Sequence, residues 1–180
     1  MSPPTPPPRQ AGVVRLDELP VPGRVRLDDL EPAAAAHALP RGQEALIEPP
    51  FRVLVAEDND ALREVVLAVL ERFAGVLELL EACHGGEAVR IIRAERVDVA
   101  VLDFRMPQNT GLEAYAELRA INPAAPGILI SAETDEAMRR DAAALTVHRV
   151  LAKPVARRDL LAALDSALRT AYQAALPAAA

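Results

Sequence analysis

Val97-Asp98-Val99-Ala100-Val101-Leu102-Asp103-Phe104-Arg105-Met106-Pro107 is the stretch that decides the fold. A short, nearly continuous apolar run rich in valine, ending in an acid and closed by a proline, reads as a buried strand. On its N-terminal side, Arg52-Val53-Leu54-Val55-Ala56 has the same form and ends in Glu57-Asp58. Leu62, Val65, Val66, Val69, Leu70 and Phe73 then recur at helical spacing and predict an amphipathic helix of about four turns. Residues 76–80 predict a second strand, and Gly85-Gly86 a turn opening the helix that carries Ala88, Val89, Ile91 and Ile92. On the C-terminal side, the order is a helix from Gly111 to Ile121, a strand over 127–130 ending at Ser131, and a helix over 135–145. A strand over 148–152 ending at Lys153 follows, then a last helix marked by Leu160, Leu161, Leu164, Leu168 and Tyr172. Strands alternating with helices predict an α/β domain with a parallel sheet covered on both faces. Right-handed crossovers make it doubly wound. Five strands and five helices are expected, over residues 49–175.

The rest of the 180-residue chain is of another kind. Eleven of its 16 prolines fall within residues 1–50, and residues 1–48 show no sustained period, so they read as a disordered Pro/Ala/Arg-rich extension. Within it, Val14-Arg15-Leu16-Asp17-Glu18-Leu19-Pro20 is nearly repeated as Val25-Arg26-Leu27-Asp28-Asp29-Leu30-Glu31-Pro32. Two copies allow a paired docking segment or a coincidence of a biased sequence. No apolar run is long enough to cross a membrane, and the proline-rich start lacks the form of a secretory signal. One cysteine excludes an internal disulfide and fits a reducing cytoplasm. A net charge of −6 and a pI near 5.1 argue against nucleic acid as a partner. Of 20 basic residues, 19 are arginine; the one lysine, Lys153, stands directly before Pro154.

In open α/β sheets, ligands bind beyond the carboxyl ends of the strands. Here those ends carry Glu57-Asp58, Asp103, Ser131 and Lys153. Three carboxylates on one rim repel and raise one another's pKa unless a cation intervenes. A hard divalent ion such as Mg²⁺ suits a few carboxylates with carbonyls and waters. An ammonium and a hydroxyl beside it suit an anion, which points to phosphoryl chemistry at a carboxylate. Taken singly, each residue has a plainer reading: Asp58 or Asn59 as a helix cap, Ser131 as a turn residue, Lys153 as a solvated charge. Taken jointly, those readings require several coincidences at one sheet edge. Cys83-His84 lacks a second Cys/His pair and does not read as a metal site.

With these residues in place, the stretch from 51 to 173 resembles the receiver domain of two-component response regulators, of the stand-alone, chemotaxis-regulator-like kind. Val53 to Asp58 is similar to the family's first strand and acidic pair, and Val101 to Pro107 with Gly111 to its phosphoacceptor strand and loop. Glu81-Ala82 with Gly85 and Glu87-Ala88 resembles its second strand–helix junction, Ile130-Ser131-Ala132 its switch residue, and Lys153-Pro154 its lysine–proline pair. The resemblance implies a flavodoxin-like sheet of order 2-1-3-4-5. It also implies a phosphorylation switch rather than a turnover enzyme, with Asp103 accepting a phosphoryl group from a sensor histidine kinase or a histidine phosphotransfer protein. Mg²⁺ would be held by Asp58, Asp103 and the Arg105 carbonyl, with Glu57 acting directly or through water. Lys153 and Ser131 would bind the phosphoryl oxygens, and the lysine–proline bond would be cis. Because only a short Ala-rich tail follows the last helix, a single-domain regulator acting on a downstream protein target is expected. The alternative is a phosphorylation-independent adaptor that binds partners through the N-terminal extension. A phosphatase of the haloacid dehalogenase type is disfavoured, because Asp103-Phe104-Arg105 lacks the second acid of Asp-x-Asp.

Departures from the family pattern narrow what is implied. Val150 holds the place of a common strand-five aromatic whose rotation reports the switch, and Thr146-Val147 replaces a common Gly-Ala step. The two positions that modulate phosphoryl lifetime in the family correspond to Arg105 and Glu133. Opposite charges there would pair across the site mouth and obstruct the hydrolytic water. Arg105→Asn and Glu133→Ala are therefore expected to accelerate acyl-phosphate decay. Unchanged decay in both variants, followed by loss of label, would reject the obstruction.

Overall fold

The apolar runs become five strands of one parallel sheet in a computed structural model that describes residues 48–132 and 135–177. In chain order these are β1 (Phe51–Ala56), β2 (Leu77–Ala82), β3 (Val99–Asp103), β4 (Gly127–Ser131) and β5 (Arg149–Ala152). The helices are α1 (Asp60–Leu70), α2 (Gly85–Ala94), α3 (Gly111–Ile121), α4 (Glu136–Ala144) and α5 (Arg157–Tyr172). The sheet order is β2-β1-β3-β4-β5, the doubly wound arrangement expected. Residues 1–47, with the extension's repeated segment, lie outside the described residues. Among the described residues no helix is long and apolar enough to cross a membrane.

Both faces of the strands are apolar because both are covered. Val53 and Val55 of β1, Val101 of β3 and Ile128 and Ile130 of β4 pack against Leu67 and Leu70 of α1 and Leu160, Leu164 and Leu168 of α5. Leu54, Leu80, Leu102 and Leu129 point the other way, onto Ile91 and Ile92 of α2, Tyr115 and Leu118 of α3 and Met138 of α4. At the edge of the sheet, the ends of β5 (Arg149 and Ala152) are exposed. Helix starts follow capping chemistry. Asn59 accepts from Leu62 N, Asp135 accepts from Met138 N, and Thr110 with Glu113 forms a capping box.

Three sequence expectations shift. The first helix does not run evenly to Phe73: it ends at Leu70 and tightens into a 3₁₀ turn over Glu71–Phe73. Its buried face is Arg63, Val66, Leu67 and Leu70, while Val65 is 59% exposed, so the core stripe is rotated from the one the valines suggested. The second strand begins at Leu77 and continues to Ala82, carrying Glu81 inside the sheet. Asp98, read as part of a strand, sits just before β3 and is fully buried. Its Oδ2 accepts from Arg52 N at 2.8 Å and Arg96 Nη2 at 2.9 Å. Tyr172 then donates to the Asp98 carbonyl at 2.8 Å and stacks on Phe51, fastening α5 to the end of the sheet opposite Lys153.

Thr146 explains why its position favours glycine. The N–H of Thr146 donates to Ala143 O and that of Val147 to Ala142 O, the paired bonds of a Schellman motif closing α4. This geometry puts Thr146 at φ 56°, in the left-handed region that a β-branched residue occupies at a cost. Thr146→Gly is expected to raise stability by about 1 kcal/mol, the relief of the left-handed cost exceeding the added chain entropy. Equal or lower stability of the variant in urea unfolding would contradict this.

Candidate functional site

Each chemically marked residue is carried to one edge by the strand before it. Asp103 is the last residue of β3 and Ser131 the last of β4, while Glu57 and Lys153 directly follow β1 and β5. The parallel register pairs Asp103 with Ile130 and Ser131 with Ala152, so these ends lie level with one another. Lys153 N donates to Ser131 O at 2.8 Å, tying the start of the lysine's loop to the end of β4. The Lys153–Pro154 peptide is cis, as the resemblance implied.

At the centre, Lys153 Nζ lies 2.7 Å from Asp103 Oδ1 and 3.0 and 2.9 Å from Glu57 Oε1 and Oε2. Glu57, Asp103 and Ser131 are buried, with exposures of 2%, 4% and 2%, whereas Asp58 is exposed. Burial pushes the Glu57 carboxyl above the usual carboxylate range; the Lys153 hydrogen bond opposes this, and the Asp103 charge adds to it. Burial works against the Lys153 ammonium, but its bonds to Asp103 and Glu57 outweigh it and hold the group above the usual lysine range. One ammonium therefore faces two buried carboxylates, with a third carboxylate at the opening. Among the described lining residues, three carboxylates outnumber two cations, Lys153 and Arg105.

The donor set fits a hard cation. Carboxylate oxygens of Glu57, Asp58 and Asp103 lie within 4.8 Å of one another. Glu57 Oε2 is buried and, among the described residues, has no hydrogen bond despite its nearness to Nζ, which leaves acceptor capacity beside the other acids. All-oxygen donors of this charge suit Mg²⁺ better than a soft metal. The three acids line an open cleft of about 360 Å³ together with Arg105, Ser131 and Lys153, room for a tetrahedral oxyanion. Arg105 stands exposed at its mouth. Glu133, expected opposite it, lies outside the described residues. Val150 is half-buried in β5 beside Leu129 and packs against the α2–α3 side of the core.

Residues outside the predicted site set also shape the cleft. Asn59 caps α1, which frees Asp58 from that role, and both Asn59 and Leu62 line the cleft. Arg63 is buried beneath the loop between β1 and α1 and donates to the Glu57 carbonyl at 2.8 Å. A charged residue three before Val66 and seven before Leu70 was the available signal, since that spacing puts it on the core face. A second convergence, of Cys83, His84 and Glu87, also brings ligating atoms within 4.8 Å. These groups serve the start of α2: His84 Nδ1 accepts from Glu87 N, and Glu87 Oε2 accepts from Cys83 N. Gly85 belongs to the same junction. A Cβ there would meet the Asn109 carbonyl at 1.8 Å, so the start of α2 rests directly on the loop that follows Asp103.

Comparison with known proteins agrees with this geometry. Residues 53–165 match the response regulator receiver domain family. The chain is 34% identical over 111 residues to protein-glutamate methylesterase/protein-glutamine glutaminase 2 of Anaeromyxobacter dehalogenans, covering 62% of this chain and 32% of that protein. It is 34% identical over 122 residues to the transcriptional regulatory protein PdtaR of Mycobacterium tuberculosis, covering 66% and 57%. The chain thus spans only part of the length of these relatives. Among solved structures, a CheY-like receiver domain protein from Methanospirillum hungatei superposes with a TM-score of 0.65 at 23% identity, covering 69% of this chain and 98% of that one, and shares the fold. The signal receiver domain of the putative response regulator NarL from Mycobacterium tuberculosis superposes with a TM-score of 0.58 at 33% identity, covering 65% and 95%. With the acids, hydroxyl and lysine converging at one sheet edge, the chain belongs to the receiver domain family of two-component response regulators.

Proposed function

We propose that this protein is a response regulator whose receiver domain is switched by Mg²⁺-dependent transfer of a phosphoryl group to Asp103 from a phosphohistidine on a sensor kinase or histidine phosphotransfer protein. The observation that carries this reading is the 2.7 Å contact of Lys153 Nζ with Asp103 Oδ1 in a cleft that also holds Glu57, Asp58 and Ser131. Glu57, Asp58, Asp103 and the Arg105 carbonyl would hold Mg²⁺, which would supply charge neutralisation for the transferring group.

The chain's own residues account for the remaining steps. An Asp103 carboxylate oxygen attacks the phosphorus, forming the P–O bond of an acyl phosphate as the P–N bond to the donor imidazole breaks. The imidazole leaves as the neutral base after taking up a proton. Lys153 moves from its resting partners to an oxygen of the phosphoryl group, where a compact ammonium stabilises charge that develops during transfer. The Ser131 hydroxyl donates to another oxygen. Because Ser131 O already holds Lys153 N, a shift of the β4 end acts on the β5 end through one backbone bond. With Val150 in place of an aromatic, the change is read from these loops by a downstream protein. Asp103 takes up one phosphoryl group, and its loss to water or to another histidine restores the resting state, which is the behaviour of a switch rather than of a turnover enzyme.

Incubation with Mg²⁺ and a small acyl-phosphate donor is expected to give a base- and hydroxylamine-labile phosphoryl adduct by intact mass. The adduct should be lost in Asp103→Asn and on chelation of Mg²⁺. No adduct with any donor, or an adduct that survives Asp103→Asn, would refute the proposal. Lys153→Arg keeps the charge but brings a broad planar fork into a confined position, and should slow adduct formation by at least about tenfold. A wild-type rate in that variant would show that charge alone suffices.

A further inference from the structure

We infer that Arg63 is a positioning residue for the acidic pair, clamping the loop between β1 and α1 in the shape that binds the divalent cation. This rests on the reading of the cleft as a Mg²⁺ site. Arg63 occupies the core face of α1, a place where charge is expensive. Its side chain is 8% exposed and each of its three nitrogens is used. Nε donates to Glu81 Oε1 at 2.9 Å, Nη1 to the Glu57 carbonyl at 2.8 Å, and Nη2 to Asp60 Oδ1 at 2.6 Å. The partners come from β2, from the residue after β1 and from the first residue of α1.

Two of those contacts bracket Asp58. One fixes the backbone at Glu57 and the other the side chain of Asp60, while Asp58 between them is exposed and takes its place from the backbone on either side. Glu81 is itself buried in β2, so it holds the guanidinium against a rigid strand. Stability alone is a weak account of this arrangement, because apolar residues of similar volume commonly replace a buried ion pair without loss. A planar fork that reaches three acceptors in three directions is, in contrast, suited to setting the geometry of a loop.

Positioning and simple electrostatics predict opposite signs. A cation near three carboxylates repels Mg²⁺, so on charge alone the loss of Arg63 would tighten Mg²⁺ binding. Loss of the clamp weakens it. Two variants of the full chain separate these effects. The double variant Arg63→Met with Glu81→Met leaves net charge unchanged and keeps the site filled. Arg63→Lys keeps the positive charge but cannot reach all three acceptors.

Mg²⁺ is titrated against the unphosphorylated proteins by amide chemical shift, with thermal unfolding followed in parallel. Both variants are expected to unfold cooperatively and to bind Mg²⁺ about five- to tenfold more weakly. Their rate of adduct formation at saturating Mg²⁺ should recover to within about twofold of wild type. Affinity that is unchanged or tighter in the folded variants would overturn the inference while leaving the phosphorylation reading intact. Failure of the wild type to bind Mg²⁺ would overturn both.

Discussion

The resting site depends on one ammonium placed between two buried carboxylates. Lys153 Nζ sits within 3.0 Å of both Asp103 and Glu57, buried groups that would otherwise repel each other. The ammonium permits the two acids to be buried together, yet it does not balance them, and Asp58 adds a further negative charge at the opening. The same imbalance makes the cleft receptive to a hard cation, and through that cation and the lysine, to an anionic phosphoryl group. Structure and chemistry meet in this deficit of positive charge.

Everything that supports the contact is set by the parallel sheet. Parallel strands send their carboxyl ends to one edge, and covering helices on both faces make the strands apolar throughout. The register then places Asp103, Ser131 and Lys153 level with one another, although they are far apart in the chain. The opposite edge is occupied by a different polar group, Asp98, which receives Arg52 and Arg96 and helps Tyr172 anchor the last helix. One edge is held closed by hydrogen bonds that join chain segments. The other keeps its charges open to a cleft.

The departures from the family pattern, Thr146 and Val150, lie away from the cleft, and the carboxylates, hydroxyl and lysine that match the pattern converge there. Thr146 accepts a left-handed backbone where glycine would be unstrained, and it closes α4, the helix that follows the Ser131 loop. Val150 fills the strand-five position with a branched aliphatic side chain that packs into the core.

The sequence by itself determined the fold class and pointed to the residues that the strand ends bring together. Runs such as Val97 to Leu102 are too short and too continuously apolar for surface helices, and a charged or hydroxyl residue marks the end of four of the five strands, whereas Glu81 lies inside β2. Lys153 was conspicuous as the only lysine in the chain. Only the tertiary structure decided which neighbours those residues have. The face of α1 differs from the expected one because Val65 shares helical spacing with the core positions yet is exposed, and an arginine at the core face looks polar until Glu81 of β2 is seen to receive it. Asn59 and Asp58 were equivalent as caps until Asn59 accepted the Leu62 N–H and left Asp58 facing the cleft. These outcomes rest on contacts between distant segments, which period and composition do not encode. Local pattern names the strands and their ends; packing chooses the partners.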